Sequence, residues 1–263
     1  MISILTPTYN RAYTLKRLYI SLLNQVTKDF EWIVIDDGSE DDTQALIESF
    51  QQENIINIFY HKQINLGKPQ AINTGVKLCN SEYVFIVDSD DALTTDAITS
   101  ITDSLQQVET ENKAISGVAF RRAYFNGDVI GDNLDSAVTT DVCYLRATDA
   151  GHLFAGDLAY CFKREMLLKF PFPSYENEKF VPELFIWNKI TDCALIKYHK
   201  VKAIYLSEYL DDGLSKNFSA QLKANPKGFG LYYLDQLKRE VSFFKKAKML
   251  MRYIQCRLYE IKK

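Results

Sequence analysis

Tyr83-Val84-Phe85-Ile86-Val87-Asp88-Ser89-Asp90-Asp91 decides how this chain of 263 residues is read. An apolar, β-forming run ends abruptly in three carboxylates within four positions. Such a run reads as a strand buried on both faces. Carboxylates at its carboxyl end lie where open α/β sheets hold their ligands. Three like charges so close repel one another, and a divalent cation with a phosphorylated ligand would relieve that repulsion. The same stretch also reads as a strand running into a helix N-terminus, with Asp90 or Asp91 as the N-cap. The neighbouring segments bear on the choice.

Working upstream, Ile55–Tyr60 and Phe30–Ile35 read as further strands, the second ended by Asp36-Asp37-Gly38-Ser39. Ile2–Leu5 is a short first strand, followed by the polar loop Thr6-Pro7-Thr8-Tyr9-Asn10-Arg11. Leu15, Leu18, Tyr19, Leu22 and Leu23 recur at helical spacing, and residues 41–52 read as a helix with an acidic first turn. Ala71, Ile72, Val76 and Leu78 mark a helix after the turn Asn65-Leu66-Gly67-Lys68. Strands separated by helices of this length predict an α/β fold, a mostly parallel sheet with helices on both faces.

Downstream of Asp91 the pattern loosens. Residues 97–108 read as a helix, 114–124 as a strand and Asn126-Gly127-Asp128 as a turn. Residues 128–156 carry mixed signals and read as a mobile loop. Leu158–Phe162 reads as a strand and 164–169 as a short helix; Pro171, Pro173 and Pro182 precede a helix at Glu183–Ile190. Residues 194–197 and 203–206 read as two short strands, and 231–257 as one or two amphipathic helices.

The bulk composition, 47% hydrophobic and 25% charged, is that of an ordinary globular chain and excludes disordered and fibrous classes. No apolar run approaches the roughly 18 to 20 residues that span a bilayer. The chain opens on a strand pattern, so no secretory signal is expected. Cys79, Cys143, Cys161, Cys193 and Cys256 are scattered and odd in number, which suggests reduced thiols in a cytoplasmic protein. His61, His152 and His199 are too far apart to make a ligand pair by spacing. The net charge of −3 is unevenly placed. Residues 236–263 hold nine Lys/Arg and two Glu, a balance of +7, so the remainder carries −10.

Three strand ends carry polar clusters: Thr6–Arg11, Asp36–Ser39 and Asp88–Asp91. In a parallel sheet they open on one edge and meet in one crevice. Each also has a plain reading. Thr8 or Asn10 caps the first helix, Asp36–Ser39 is a turn, and Gly67 permits a tight bend.

Ile4-Leu5-Thr6-Pro7-Thr8-Tyr9-Asn10-Arg11 resembles the opening motif of family 2 glycosyltransferases. So do Val34-Ile35-Asp36-Asp37-Gly38-Ser39, Asn65-Leu66-Gly67-Lys68 with Ala71-Ile72-Asn73-Thr74-Gly75, and Val87-Asp88-Ser89-Asp90-Asp91. The match covers roughly the first hundred residues, in order and spacing, and is of the kind that builds bacterial polysaccharides and cell-surface glycans. It implies a GT-A fold, transfer of a sugar from a nucleotide-activated donor, and inversion at the anomeric carbon. It implies residue roles too. Thr6, Pro7 and Tyr9 match the loop lining the nucleoside pocket, with Arg11 near its rim. Asp37 matches the acid that reads the base edge, commonly uracil, and Lys68 a basic position near the phosphates. Asp88 and Asp90 match the pair that holds Mg²⁺ or Mn²⁺ against the diphosphate, Asp90 as the direct ligand, with Ser89 between them and Asp91 behind them or as a cap.

An inverting transfer needs a general base on the acceptor hydroxyl. Glu178-Lys179-Phe180-Val181-Pro182-Glu183-Leu184-Phe185-Ile186-Trp187 resembles the family's downstream acidic motif, which assigns the base to Glu183. Many relatives have Glu-Asp or an isolated Asp here, so Glu178 and Asp157 compete for the role. Trp187 is an acceptor platform or a core residue. Gly156-Asp157 resembles the part that approaches the transferred sugar. Asp211–Asn217, with Ser215 and Lys216, reads as a lid over the diphosphate or a surface turn. The resulting division is residues 1–230 as the catalytic domain (1–110 binding the nucleotide sugar, 111–230 the acceptor) and 231–263 as a basic amphipathic segment.

In that segment Leu237, Val241, Phe244, Met249, Leu250, Tyr253 and Ile254 interleave with Lys and Arg. This suits an interfacial helix on anionic lipid, or a solvated helix packed on the domain. The expected partners are a nucleotide-sugar donor and a glycan or lipid-linked acceptor, with no nucleic acid, at the inner face of the membrane. Two other classes stand beside this one. Nucleotidyltransferases usually carry a Gly-rich phosphate loop that Thr6–Arg11 lacks. A non-catalytic nucleotide-sugar-binding protein would not need Asp88, Asp90 and Glu183. Dinucleotide oxidoreductases are disfavoured because GxGxxG is missing.

Overall fold

Strands with apolar cores and one-sided helices assemble the first half as the sequence predicts. The computed structural model describes residues 1–132, 134, 140–208 and 218–262. Strands β1 (Ile2–Thr8), β2 (Phe30–Asp36) and β4 (Tyr83–Ile86) are buried along their whole length, as central parallel strands must be. β3 (Asn57–Lys62), at the edge, has no fully buried residue. Helices α1 (Ala12–Leu23), α2 (Thr43–Glu53) and α3 (Lys68–Leu78) connect them. α1 buries Leu15, Leu18, Tyr19 and Leu22, a single stripe at helical spacing.

The second half is built differently. It comprises β5 (Ala92–Leu93), α4 (Ala97–Thr110), β6 (Ile115–Tyr124), β7 (Val142–Leu145), α5 (Ala147–Phe154), β8 (Leu158–Lys163), α6 (Arg164–Lys169), α7 (Glu183–Thr191) and β9 (Leu195–Ser207). Helices α8 (Phe218–Ala224), α9 (Pro226–Arg239) and α10 (Phe243–Ile261) follow. The strand order is β3-β2-β1-β4-β8-β6-β9-β5, with β7 also on β9. β1 to β4, β6 and β9 run one way; β5, β7 and β8 run against them.

One core layer holds Leu18, Trp32, Phe85, Ile98 and Ile101 beneath α1, α2 and α4. The other holds Leu5, Ile35, Ile72, Phe162 and Trp187 beneath α3 and α5 to α7. Because β1, β2 and β4 are parallel, their carboxyl ends open on one edge.

Three expectations change, and the C-terminal segment takes one of its two readings. Residues 128–156 are not one mobile loop: β7 and α5 lie within them, anchored by pairing of Val142–Leu145 with Ile196–His199. The two strands expected at 194–197 and 203–206 are one 13-residue strand, β9. The polar stretch 198–202 that parts them in sequence pairs with β7, Tyr198 with Cys143 and His199 with Val142, so the strand runs on. Asp90 and Asp91 cap no helix, since β5 follows and α4 starts only at Ala97. The C-terminal segment is two helices, and α9 runs across residue 230, tied to α7 by Asn188 and Asp235 (3.1 Å).

Candidate active site

At the carboxyl end of β2 both acids are satisfied by neutral donors. Asp36 accepts from the Ser39 N–H (2.7 Å) and the Tyr60 hydroxyl (2.6 Å). Asp37 accepts from Gln63 Nε2 (2.7 Å) and from the N–H groups of Leu66 (2.9 Å) and Gly67 (2.7 Å). The Asp37 carboxylate thus fixes the loop that launches α3. Gly67 has φ +92°, and a Cβ there would lie 1.9 Å from the Lys179 carbonyl oxygen, so only glycine fits. That contact also presses the segment leading to α7 against the start of α3.

The β1–α1 loop is laced to the same region. The Asn10 N–H donates to Ser39 Oγ (2.9 Å), and the Glu40 N–H to Asn10 Oδ1 (2.8 Å). The first turn of α1 is satisfied from the neighbouring loop: Ala12 N–H donates to Asp41 Oδ2 (3.1 Å) and Arg11 N–H to Thr43 Oγ1 (3.3 Å). Neither Thr8 nor Asn10 caps it. Pro7 is buried, and Thr6 Oγ1, also buried, accepts from the Trp32 indole N–H (2.9 Å). Tyr9 is exposed. The Thr8 hydroxyl is buried with no hydrogen-bond partner among the described residues.

The carboxyl end of β4 is charged throughout. Lys68 Nζ lies 2.6 Å from Asp88 Oδ1 and 2.8 Å from Glu183 Oε1, so one ammonium joins the strand end to the first turn of α7. Arg122 Nη1 stands 3.6 Å from Asp88 Oδ2 and 3.5 Å from Asp91 Oδ2. Its guanidinium lies 4.0 Å from the Tyr205 ring centroid, and its Nε–H donates to the Leu158 carbonyl (3.2 Å). The Tyr205 hydroxyl accepts the Asp88 N–H (2.8 Å). Arg17 donates to the Asp90 carbonyl and pairs with Glu208 (2.8 Å).

These surroundings separate the three acids. Burial pushes the Asp88 carboxyl up, but Lys68 and Arg122 outweigh it and hold it below its ordinary range. Burial, then the Asp88 charge, pushes Asp90 up, with Arg11 and Lys68 offsetting only in part. Asp91 is pushed up to about 7 by burial and Asp88, against the pull of Arg122. Burial pulls both cations down, but Asp88 and Glu183 hold Lys68, and Tyr205, Asp88 and Asp91 hold Arg122, well above their ordinary ranges.

Arg122 went unnoticed in the sequence. The only sign of it was an arginine pair, Arg121-Arg122, inside an otherwise apolar strand. Adjacent strand residues point to opposite faces. Arg121 turns away to the carbonyls of Lys200, Ile130 and Asp132, while Arg122 faces the carboxylates. Of the competing bases, Glu178 accepts the N–H groups of Lys227 and Gly228 (3.0 Å each) and so serves the first turn of α9. Asp157 is exposed at the start of β8, and its charge reaches Arg122 and Tyr160. Trp187 is a core residue, 4.5 Å from the Phe162 ring centroid. Ser89 is buried between the two acids. Ser215, Lys216 and the rest of 211–217 lie outside the described residues.

Among the described residues no group of three or more His, Cys, Asp or Glu is disposed to hold a metal ion. Two hard oxygen donors, Asp88 and Asp90, do fit a divalent cation that takes its other ligands from a diphosphate. Asp90 makes no ion pair among the described residues, and after burial the Asp88 charge pushes it up, a repulsion such a cation would relieve.

The profile described as Glycosyl transferase family 2 matches residues 3–143, which include every strand-end motif and Arg122. The chain belongs to this family. Among curated members it is 33% identical over 101 residues to the GalNAc(5)-diNAcBac-PP-undecaprenol beta-1,3-glucosyltransferase of Campylobacter jejuni, covering 38% of this chain and 33% of that one. It is 36% identical over 94 residues to the poly(ribitol-phosphate) beta-N-acetylglucosaminyltransferase TarP of Staphylococcus aureus, covering 35% and 29%. The matched stretches thus span about a third of those relatives' length.

Two solved structures share the GT-A fold. The crystal structure of S. aureus TarS 1–349 in complex with UDP-GlcNAc superposes with a TM-score of 0.69 at 19% identity, covering 97% of this chain and 72% of that one. The mannosyltransferase PcManGT from Pyrobaculum calidifontis, in complex with GDP-Man and Mn2+, superposes with a TM-score of 0.62 at 16% identity, covering 98% and 70%.

Proposed function

We propose that this protein is a metal-dependent inverting glycosyltransferase that passes a sugar from a UDP-sugar donor to a hydroxyl of a glycan or lipid-linked acceptor. The observation that carries the reading is Lys68, whose ammonium bridges Asp88 at the end of β4 and Glu183 at the start of α7. It joins a diphosphate-facing acid to a candidate base across an open edge of the sheet. The family membership and the nucleotide sugars held by TarS and PcManGT support a nucleotide-sugar donor.

In this reading Thr6, Pro7, Tyr9 and Arg11 border the nucleoside, with Asp37 close by; Lys68 and Arg122 face the diphosphate, where fixed cations meet charge without reorganisation. Asp88 and Asp90 would hold Mn²⁺ or Mg²⁺, Asp90 directly. A bound ion of this kind supplies Lewis-acid stabilisation of the departing nucleoside diphosphate. Glu183 takes the proton of the acceptor hydroxyl as its oxygen bonds to the anomeric carbon and the bond from that carbon to the diphosphate breaks. Its place in the first turn of α7 suits a carboxylate.

The test is Glu183→Gln. Turnover should fall by roughly 10²–10⁴-fold, the usual worth of a general base, while nucleotide affinity is kept. Near-normal turnover would move the role to Asp157.

A further inference from the structure

α10 is amphipathic twice over. Met249, Tyr253, Cys256 and Tyr259 face inward and pack with Phe229 and Tyr233 of α9. A second apolar stripe, Phe243, Leu250, Ile254, Leu258 and Ile261 with Met251 beside it, recurs at helical spacing on the opposite side. No described residue covers it: Phe243 is 78% exposed, Met251 65% and Ile261 79%. The apolar set read from the sequence mixed the two faces, since its Met249 and Tyr253 are turned inward.

The borders of the outer stripe say what covers it. Lys246 and Arg257, the latter paired with Glu260 (2.5 Å), lie along one side and Lys248 and Lys262 along the other, all four cations exposed. Among the described residues no acid pairs with Lys245, Lys246, Lys248 or Lys262. An apolar strip with cations on both edges matches a bilayer interface, where the strip enters the acyl boundary and the cations meet anionic headgroups. A second copy meeting through the same stripe would be isologous and would set these cations against each other. The −10 carried outside residues 236–263 leaves this helix as the face a negative surface attracts. No helix among the described residues is long and apolar enough to cross a membrane, so the contact lies in the interface plane.

We infer that α10 seats the protein on an anionic lipid surface through Phe243, Met251, Ile254 and Leu258. The inference stands apart from the reading of the active site, because its test uses no turnover. The full chain is co-sedimented with vesicles of phosphatidylcholine alone and of phosphatidylcholine with phosphatidylglycerol. Binding should be at least about tenfold stronger to the anionic vesicles and should fall as salt is raised. M251E/I254E should lose at least about tenfold of that binding with an unchanged thermal midpoint, because both side chains are exposed. K246E/K248E should lose the preference for anionic vesicles while keeping the apolar stripe. Equal binding to both vesicle types, full binding by M251E/I254E, or a dimer in lipid-free solution that M251E/I254E dissolves would overturn the inference.

Discussion

The carboxyl ends of β2 and β4 look alike in sequence, each an apolar strand running into paired acids, yet they are solvated in opposite ways. At β2, Asp36 and Asp37 together accept five hydrogen bonds, all from neutral donors. At β4, Asp88 and Asp91 are met by Lys68 and Arg122, and Asp90 by no cation within ion-pair distance among the described residues. A carboxylate satisfied by backbone N–H groups is building a loop. One left to share a site with like charge raises its own protonation affinity and stores a cost that only a ligand repays. The β2 end therefore shapes the crevice, and the β4 end supplies its charge.

The comparison breaks most visibly at Asp90. Asp90→Asn keeps the shape and removes the unrelieved charge. Turnover should drop on the order of 10³-fold in a sugar-transfer assay, with no loss of thermal stability. A variant that unfolded earlier than the parent would put Asp90 in the architecture, with Asp37.

Asp37→Ala should do the reverse. It strands the N–H groups of Leu66 and Gly67 and the Gln63 amide, a cost of about 2–4 kcal/mol seen as a lower denaturation midpoint. Any loss of activity should follow from the displaced Lys68. Full stability in this variant would erase the contrast between the two ends.

The smallest effect lies away from both ends and serves as their control. His199 stacks on Phe120 with ring centroids 4.1 Å apart and hydrogen-bonds the Ser104 hydroxyl at 2.8 Å. Burial brings its pKa down to about 4, helped by Lys197 and Lys202 and opposed by Asp141. The unfolded chain binds this proton near the ordinary value of about 6.5 and the folded one does not until near 4, so stability is full above that range and is lost as pH falls through it. The loss is at most about 3 kcal/mol. Denaturation midpoints across this range should slope in the parent and flatten in His199→Gln.

The same contrast explains what was legible. The strand-end motifs and the crevice edge could be read because each is a local pattern: an apolar run and the polar residues that stop it. Arg122 could not, because its role depends on β6 lying two strands from β4 and on a side chain that reaches across Leu158. β9 was split in two because His199, Lys200 and Lys202 interrupt the apolar pattern at 198–202, whereas pairing of Tyr198 with Cys143 and of His199 with Val142 carries the strand through, a partner that no periodicity reports. Glu178 looked like a rival base until α9, which it steadies, was seen to start beside it. Short elements such as β7 and α5 gain their stability from β9 and α7 rather than from their own composition.

The central claim is that the acids after Val87 hold a nucleotide diphosphate through a divalent cation. Titration of UDP into the protein in Mn²⁺, followed by calorimetry, tests it most directly. The parent should bind, and Asp90→Asn should raise the Kd by at least about thirtyfold, the loss expected of one charge-assisted contact. An unchanged Kd in that variant would contradict it.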